Sequence, residues 1–224
     1  MSKQAFIVAS LLASLSPAIG NAANLVTNGS FEQVQIPAPF LSANPADIPG
    51  WTHTGVVGDA LIWAVGYVDG GGSVTVAGQG RQFVTAGAGF NQNKNIGTWS
   101  QTVSGLTPGD TYDLSFMLSA EANFSGAQFV DVAASNTSFV TQQFVAPLGA
   151  TNYWSGWKAY SVSFTANAAS TTLSFSSNTS FDVGIDNISL MAAAVPEPET
   201  YALMLAGLGM VGFVARRKKQ GSAA

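Results

Sequence analysis

"DTYDLSFMLSA", Asp110 to Ala120, is the stretch that decides the fold class. Tyr112, Leu114, Phe116 and Leu118 alternate with Thr111, Asp113, Ser115, Met117 and Ser119. A two-residue period of this kind belongs to a strand with one buried face. The preceding "GLTPGD", Gly105 to Asp110, reads as a turn, with Pro108 setting φ and Gly109 accepting a positive φ. "TWSQTVSGL", Thr98 to Leu106, then reads as the hairpin partner of the first strand.

Working outward, "YSVSFTA" puts Tyr160, Val162 and Phe164 on one face, and "TTLSFSS" does the same for Leu173 and Phe175. "RQFVTAG" from Arg81, "AQFVDVAAS" from Ala127 and "SFVTQQFV" from Ser138 add three more strands. In "FDVGIDNISL", Phe181, Val183 and Ile185 keep one phase while Ile188 and Leu190 keep the other. Two readings follow: a bulge around Gly184 to Asn187 that aims Asp186 at a site on the sheet edge, or a strand buried on both faces. The stretch from Gln35 to Pro49 holds four prolines and reads as a long loop or an extended edge, and "VDGGGS" at Val68 to Ser73 reads as another loop. Short strands between turn signals, with no amphipathic helix and no internal repeat, predict an all-β sandwich.

The two ends have a different character. Lys3, an apolar run from Ala5 to Leu15, Pro17 and the small residues of "AIGNAAN" describe a secretory signal peptide over 1–23, cut after Ala22 or Ala23. The other end holds "AAAVPEPE", fifteen mostly apolar residues from Tyr201 to Ala215, and then Arg216, Arg217, Lys218 and Lys219. Fifteen helical residues extend about 22 Å, which is short against a hydrocarbon core of about 30 Å. Insertion therefore needs bilayer thinning and snorkelling of the basic cluster. From the residues alone the segment is either a short anchor or a temporary label. The chain divides into signal peptide (1–23), sandwich (24–191), linker (192–199), hydrophobic helix with basic cluster (200–219) and tail (220–224).

Between Asn24 and Ala194 there are three basic residues (Arg81, Lys94, Lys158) against ten acidic ones, a net charge of −7. That balance argues against nucleic-acid binding, which needs clustered cations. Cysteine is absent, so disulfides and thiol catalysis are excluded. His53, in "GWTHTG", is the sole histidine and has neither a nucleophile elbow nor a metal-motif partner in sequence. The expectation is a protein that is not an enzyme.

Val195, Pro196, Glu197 and Pro198, the apolar segment and the basic cluster Arg216, Arg217, Lys218 and Lys219 together resemble the PEP-CTERM sorting signal of Gram-negative bacteria. The resemblance implies export through the Sec translocon, transient insertion of a transmembrane helix in the inner membrane, and processing by an exosortase. It also implies placement on the outer surface or in an exopolysaccharide, biofilm or floc matrix. Glu199 after the second proline and the tail "QGSAA" depart mildly from the pattern.

"NLVTNGSFE" with Gly50-Trp51, "WSQTVSGLTPGDTYDLSFML" and "VGIDNISL" are similar to the galactose-binding-like jelly rolls, which include carbohydrate-binding modules. The likeness implies a jelly-roll β-sandwich in which the first and last strands lie side by side and share a structural calcium ion. The matching carboxylates are Glu32 and Asp186, with main-chain oxygens near Asn28 and in the following loop completing the set; the alternative is that both acids are exposed or capping residues. Two carboxylates with main-chain carbonyls suit a hard cation that takes six to eight oxygens.

"NYWSGW" supplies the candidate sugar site, Asn152, Tyr153 and Trp154, where a ring face stacks on sugar C–H groups and amides take hydroxyls. The alternative use of such rings is to plug the ends of the sandwich, which is the expectation for Trp51 and Trp157. Three functions remain open at this point: polysaccharide association, a structural or adhesive surface role with no sugar site, and a glycan-active enzyme.

Overall fold

The computed structural model describes residues 23–37, 41–42, 48–55, 62–64, 77–87, 97–121, 127–147, 154, 156–179, 182–194 and 198–221. Two antiparallel sheets form among them. The first runs in the order β1 (Leu41–Ser42), β3 (Ile62–Ala64), β4 (Gln82–Ala86), β11 (Val183–Ala192), β6 (Thr111–Ala120) and β9 (Lys158–Thr165). The second runs β2 (Thr52–Thr54), β5 (Gly97–Ser104), β10 (Ser170–Ser177), β7 (Phe129–Ala134) and β8 (Gln142–Val145). The fold is the all-β sandwich that the alternation predicts.

Alternation also sets the core. Leu114, Phe116 and Leu118 of β6 and Leu173 and Phe175 of β10 are fully buried. Phe116 meets Phe175 edge-on across the two sheets at 5.3 Å between ring centroids, the arrangement that aromatic quadrupoles favour. Trp99 is buried on β5 and donates its indole N–H to the Thr85 carbonyl at 2.8 Å. Trp51 is buried as well, packed on Phe31 and Phe175, as its plugging role predicts.

The expected hairpin of β5 with β6 does not form. β5 pairs with β2 and β10 in the second sheet, whereas β6 lies between β11 and β9 in the first. "GLTPGD" carries the chain from one sheet to the other. The amides of Gly105 and Leu106 donate to the Ala169 carbonyl, Leu106 is buried, and the Thr107 amide donates to the Tyr112 hydroxyl. Periodicity fixes which face of a strand is buried but does not choose its partner. "SFVTQQFV" is extended in β8 only from Gln142, preceded by an isolated bridge between Thr137 and Ala166.

In β11 the bulge and the burial on both faces occur together, although Asp186 lies in an interior strand and not at the sheet edge. Pairing with β6 slips between Asp186 and Ser189, with Asn187 left-handed at φ 49°, and residues Val183 to Asp186 are buried on both faces. Gly184 explains the double burial. A Cβ there would lie 2.9 Å from both the Trp154 and Trp157 rings, which cover the outer side of the sheet beside Phe83.

The residues from Ala22 to Ala193 form one compact unit. Helix α1 (Pro198–Gly221) belongs to the other and is described by itself. Pro198 begins it and Arg216 to Lys219 lie in its last turns; Val195, Pro196 and Glu197 lie outside the described residues, as do 1–22 and the "VDGGGS" loop. Leu203, Met204, Leu205, Leu208, Met210, Val211 and Phe213 of the helix are exposed. Among the described residues no helix is long and apolar enough to cross a membrane.

Phe175→Ala removes the ring shared by the two sheets and is expected to cost about 3–5 kcal/mol in urea unfolding. Val140→Ala, at a residue 75% exposed, is expected to change stability by less than about 0.5 kcal/mol.

Candidate functional site: a carboxylate cradle, a polar cleft and a hydroxyl face

Residues 24–37 form no regular strand, yet they are fastened at many points. The Leu25 amide donates to the Leu190 carbonyl and the Ile188 amide to the Gly29 carbonyl, so the segment runs beside β11. Gly29 is required there, because a Cβ would stand 1.9 Å from the Ile188 carbonyl oxygen. Two buried amides replace the missing ladder. Gln101 accepts from the Thr27 amide and donates to the Thr27 and Gly50 carbonyls, each at 2.8 Å. Gln82 accepts from the Ile36 amide and donates to the Phe31 and Val34 carbonyls. Sequence reasoning missed both, although Gln101 shares the inward phase of Trp99 and Val103. A polar residue in an apolar phase must find hydrogen-bond partners inside.

The turn before β4 then joins the two expected metal carboxylates. Glu32 Oε1 accepts from the Arg81 amide at 2.6 Å and the Gln82 amide at 2.9 Å. Asp186 Oδ2 accepts from the Gln79 amide, and its Oδ1 from the Asn187 amide, both at 2.7 Å. Gly80, at φ 68°, is where the turn passes over Glu32; a Cβ would fall 2.4 Å from Oε1. Asp186 is not at a sheet edge. It sits in the interior strand β11, fully buried, where the pairing with β4 gives way to this turn. Burial is the main force that pushes its carboxyl up to about 8, and the Glu32 charge adds to it; main-chain N–H donors from Gln79, Asn187 and Gly78 pull the other way.

Asn28, the third expected donor, shapes the turn. Its Oδ1 accepts from the Gln33 amide, and its carbonyl accepts from the Phe31 amide and the Trp51 indole. The main-chain carbonyl of Asn28 thus accepts two hydrogen bonds, whereas Oδ1 accepts one and keeps a lone pair. Among the described residues no group of three or more His, Asp or Glu side chains gathers, so the acidic donors are this pair. The Asp186 oxygens accept only main-chain N–H groups, and Glu32 Oε2 accepts from the Gln35 side-chain amide. A buried acid beside a second one, with oxygen lone pairs left over, fits a hard cation.

Beside the cradle opens a cleft of about 520 Å³, walled by Asn24, Val26, Asn28, Gly29, Ser30, Glu32, Gln33, Gln79, Asn187 and Ile188.

The expected sugar platform takes another form. Asn152 and Tyr153 lie outside the described residues, and Trp154 is fully buried against Phe83 and Gly184. Its ring seals the first sheet instead of facing solvent. His53 lies on edge strand β2 with its ring 4.9 Å from that of Trp99, and burial lowers its pKa. The outer face of the second sheet is instead all hydroxyl along two adjacent strands. Thr98, Ser100, Thr102 and Ser104 of β5 pair across to Ser176, Ser174, Thr172 and Ser170 of β10. Thr52 and Thr54 extend two of these rows onto β2, and the Thr102 and Thr172 hydroxyls stand 3.1 Å apart. Strand geometry spaces such groups about 4.8 Å across strands and about 6.7 Å along them.

Residues 24–185 match the family model described as a protein of unknown function, DUF642. The chain belongs to the DUF642 family. Residues 194–219 match the PEP-CTERM protein-sorting motif, so this DUF642 protein carries a sorting segment after its sandwich. No curated protein matches the chain. Among solved structures, one that it resembles is TmCBM61 in complex with β-1,4-galactotriose: 17% identity, TM-score 0.48, over 77% of this chain and 100% of that one. A structure described as CBM4 is similar at 14% identity and TM-score 0.41, over 75% and 99%. The enzymatically active domain of bacteriophage CBA120 tailspike protein 4 is similar at 14% identity and TM-score 0.47, over 76% of this chain; the chain spans about a fifth (21%) of its length.

The Asp186 carboxyl titrates near 8 in the folded chain and near its ordinary 3.8 when unfolded. The folded state therefore holds one more proton between these values, and the metal-free protein is expected to lose stability as pH rises from about 4 to about 8. Asp186→Asn is expected to flatten that slope, read from urea midpoints across the pH range.

Proposed function

We propose that this is an exported cell-surface or matrix protein, sorted through its PEP-CTERM segment, processed there by an exosortase, and associated with exopolysaccharide through a non-catalytic sandwich. The sorting match over residues 194–219 carries this reading. In its support, the charged start and small-residue stretch before Asn24 have the pattern of a signal peptide used by the Sec translocon, and the short apolar run of α1 followed by Arg216 to Lys219 completes the sorting pattern, which implies transient insertion in the inner membrane.

The hydroxyl face supports the polysaccharide part. It offers donors and acceptors on every outward residue of β5 and β10 without a charged side chain on either strand. A polyhydroxylated chain crossing the strands meets a fresh hydroxyl pair at each one, and no ion pair has to be desolvated for it to lie down. In native gels cast with neutral polysaccharides, the full chain is expected to be retarded by at least one. The double variant Thr102→Val, Ser174→Val is expected to run as in a blank gel, with unchanged melting. Identical mobility of the wild type in all gels and in the blank would favour a purely structural or adhesive surface role.

A structural calcium ion at Glu32 and Asp186 is the second part of the reading. When bound, it supplies positive charge to two acids held by the same turn, and so ties residues 24–37 to β11. A free calcium concentration a hundredfold above Kd is expected to add about 2.7 kcal/mol, or roughly 5–10 °C in Tm for a domain of this size. Glu32→Gln is expected to abolish the difference between calcium and chelator; equal melting of the wild type in both would remove calcium from the account.

A further inference from the structure

The ring of His53 is placed where neither of its nitrogens can bond. Both are shielded from solvent and neither has a hydrogen-bond partner. The ring rests against that of Trp99, 4.9 Å between centroids. A neutral imidazole carries one donor and one acceptor, and shielding both unmet is costly. A phenylalanine would cover Trp99 without that cost, so packing alone does not account for a histidine here.

Its surroundings carry no counter-charge. His53 shares the inward phase of its register partner Trp99, while Thr52 and Thr54 point the other way. β5, which pairs with β2, has no ionisable side chain, and neither do β3, β4 and β10 around it. Asp182 stands 3.4 Å from the Thr85 hydroxyl, but on the outer face of the first sheet, whereas Trp99 reaches the Thr85 carbonyl from the core. The cradle acids Glu32 and Asp186 are held by the turn before β4. Burial is the cause that lowers the His53 pKa, and no neighbouring charge contributes.

The strand that carries His53 is lightly held. β2 is three residues long, lies at the edge of its sheet, and pairs with β5 alone. Just before it, Trp51 is a firm anchor: it is buried, its indole donates to the Asn28 carbonyl at 3.1 Å, and its amide donates to the Ile48 carbonyl at 3.3 Å. Just after it comes Gly55 at φ 129°, a backbone conformation open to glycine. A short edge strand between a buried anchor and a glycine can swing without disturbing the core.

We propose that β2 is an acid-released flap: a proton taken up by His53 unseats Thr52–Thr54 from β5, while Trp51 stays in the core. Seated, the imidazole is neutral and covers the Trp99 ring. An imidazolium in that place has no acceptor for either N–H and no opposing charge, and solvent supplies both. In the open form His53 regains its ordinary 6.5. The open form therefore binds the proton more readily, and opening grows as pH falls below 6.5, by up to about tenfold per pH unit. Release withdraws Thr52 and Thr54 from the hydroxyl rows and uncovers Trp99, so a fall in the surrounding pH changes what that side of the sandwich presents. The flap does not rest on the polysaccharide reading of the hydroxyl face.

His53 is the sole histidine, so NMR of the full chain follows a single imidazole through its titration. Its midpoint is expected below 6.5. Native-state hydrogen exchange between pH 5 and 7.5, corrected for intrinsic rates, then reads the flap. Protection of the Thr52–Thr54 amides is expected to fall by up to about tenfold per pH unit below 6.5. The amides of β6 and β11 report global stability, including the opposite pH slope set by Asp186, and are expected to show no such fall. In His53→Phe the protection of β2 is expected to be the same at both ends of the range. An imidazole that titrates at 6.5 or above in the folded chain would overturn the proposal, as would protection of β2 that ignores pH or a fall that persists in His53→Phe. The first two readings use the wild-type chain, so they decide the matter even where the variant does not fold.

Discussion

The turn at residues 78–82 holds two carboxylates from opposite ends of the domain's sequence, and the rest of the domain is arranged around that grip. Glu32 comes from the entering segment and Asp186 from the last strand, and main-chain N–H groups of one short turn donate to both. In a chain with few charges this pairing concentrates negative charge where burial makes it expensive. The cost is met partly by the N–H donors and partly by a carboxyl that keeps its proton to about pH 8 in the absence of a cation. The β11 bulge follows from the same requirement. Asp186 faces the turn while Ile188 and Leu190 return to the core, and the slip at Asn187 is the change of phase that allows both.

The sequence made the layers legible and left the connections obscure. Alternation over Tyr112 to Leu118 and Leu173 to Phe175 gave the strands, their buried faces and the all-β class. The change of phase in "VGIDNISL" announced the bulge. Pairing was not readable, because "TWSQTVSGL" shows the same alternation whichever sheet it joins; Ala169 and Tyr112, far apart in sequence, settle the crossing. Glu32 and Asp186 were reached through a resemblance, and the turn that holds them was invisible because its contribution is main-chain. Trp154 misled for a related reason: a tryptophan beside a loop reads as a platform until the bare Gly184 opposite it is known.

The hydroxyl face was present in the sequence all along, as the alternate letters of "TWSQTVS" and "STTLSFSS". Serine and threonine on the solvent side of a strand are ordinary one at a time. Only the register of β5 against β10 shows that they form continuous rows.

The central claim is that a self-contained sandwich is delivered by a segment the mature protein no longer carries. The intact mass of the protein from its native host, with sequencing of its last peptide, tests this directly. The account predicts a chain that starts at Ala23 or Asn24 and ends between Val195 and Pro198, with any added mass identifying what the new terminus is joined to. A chain that still ends at Ala224 and stays with the membrane would contradict it.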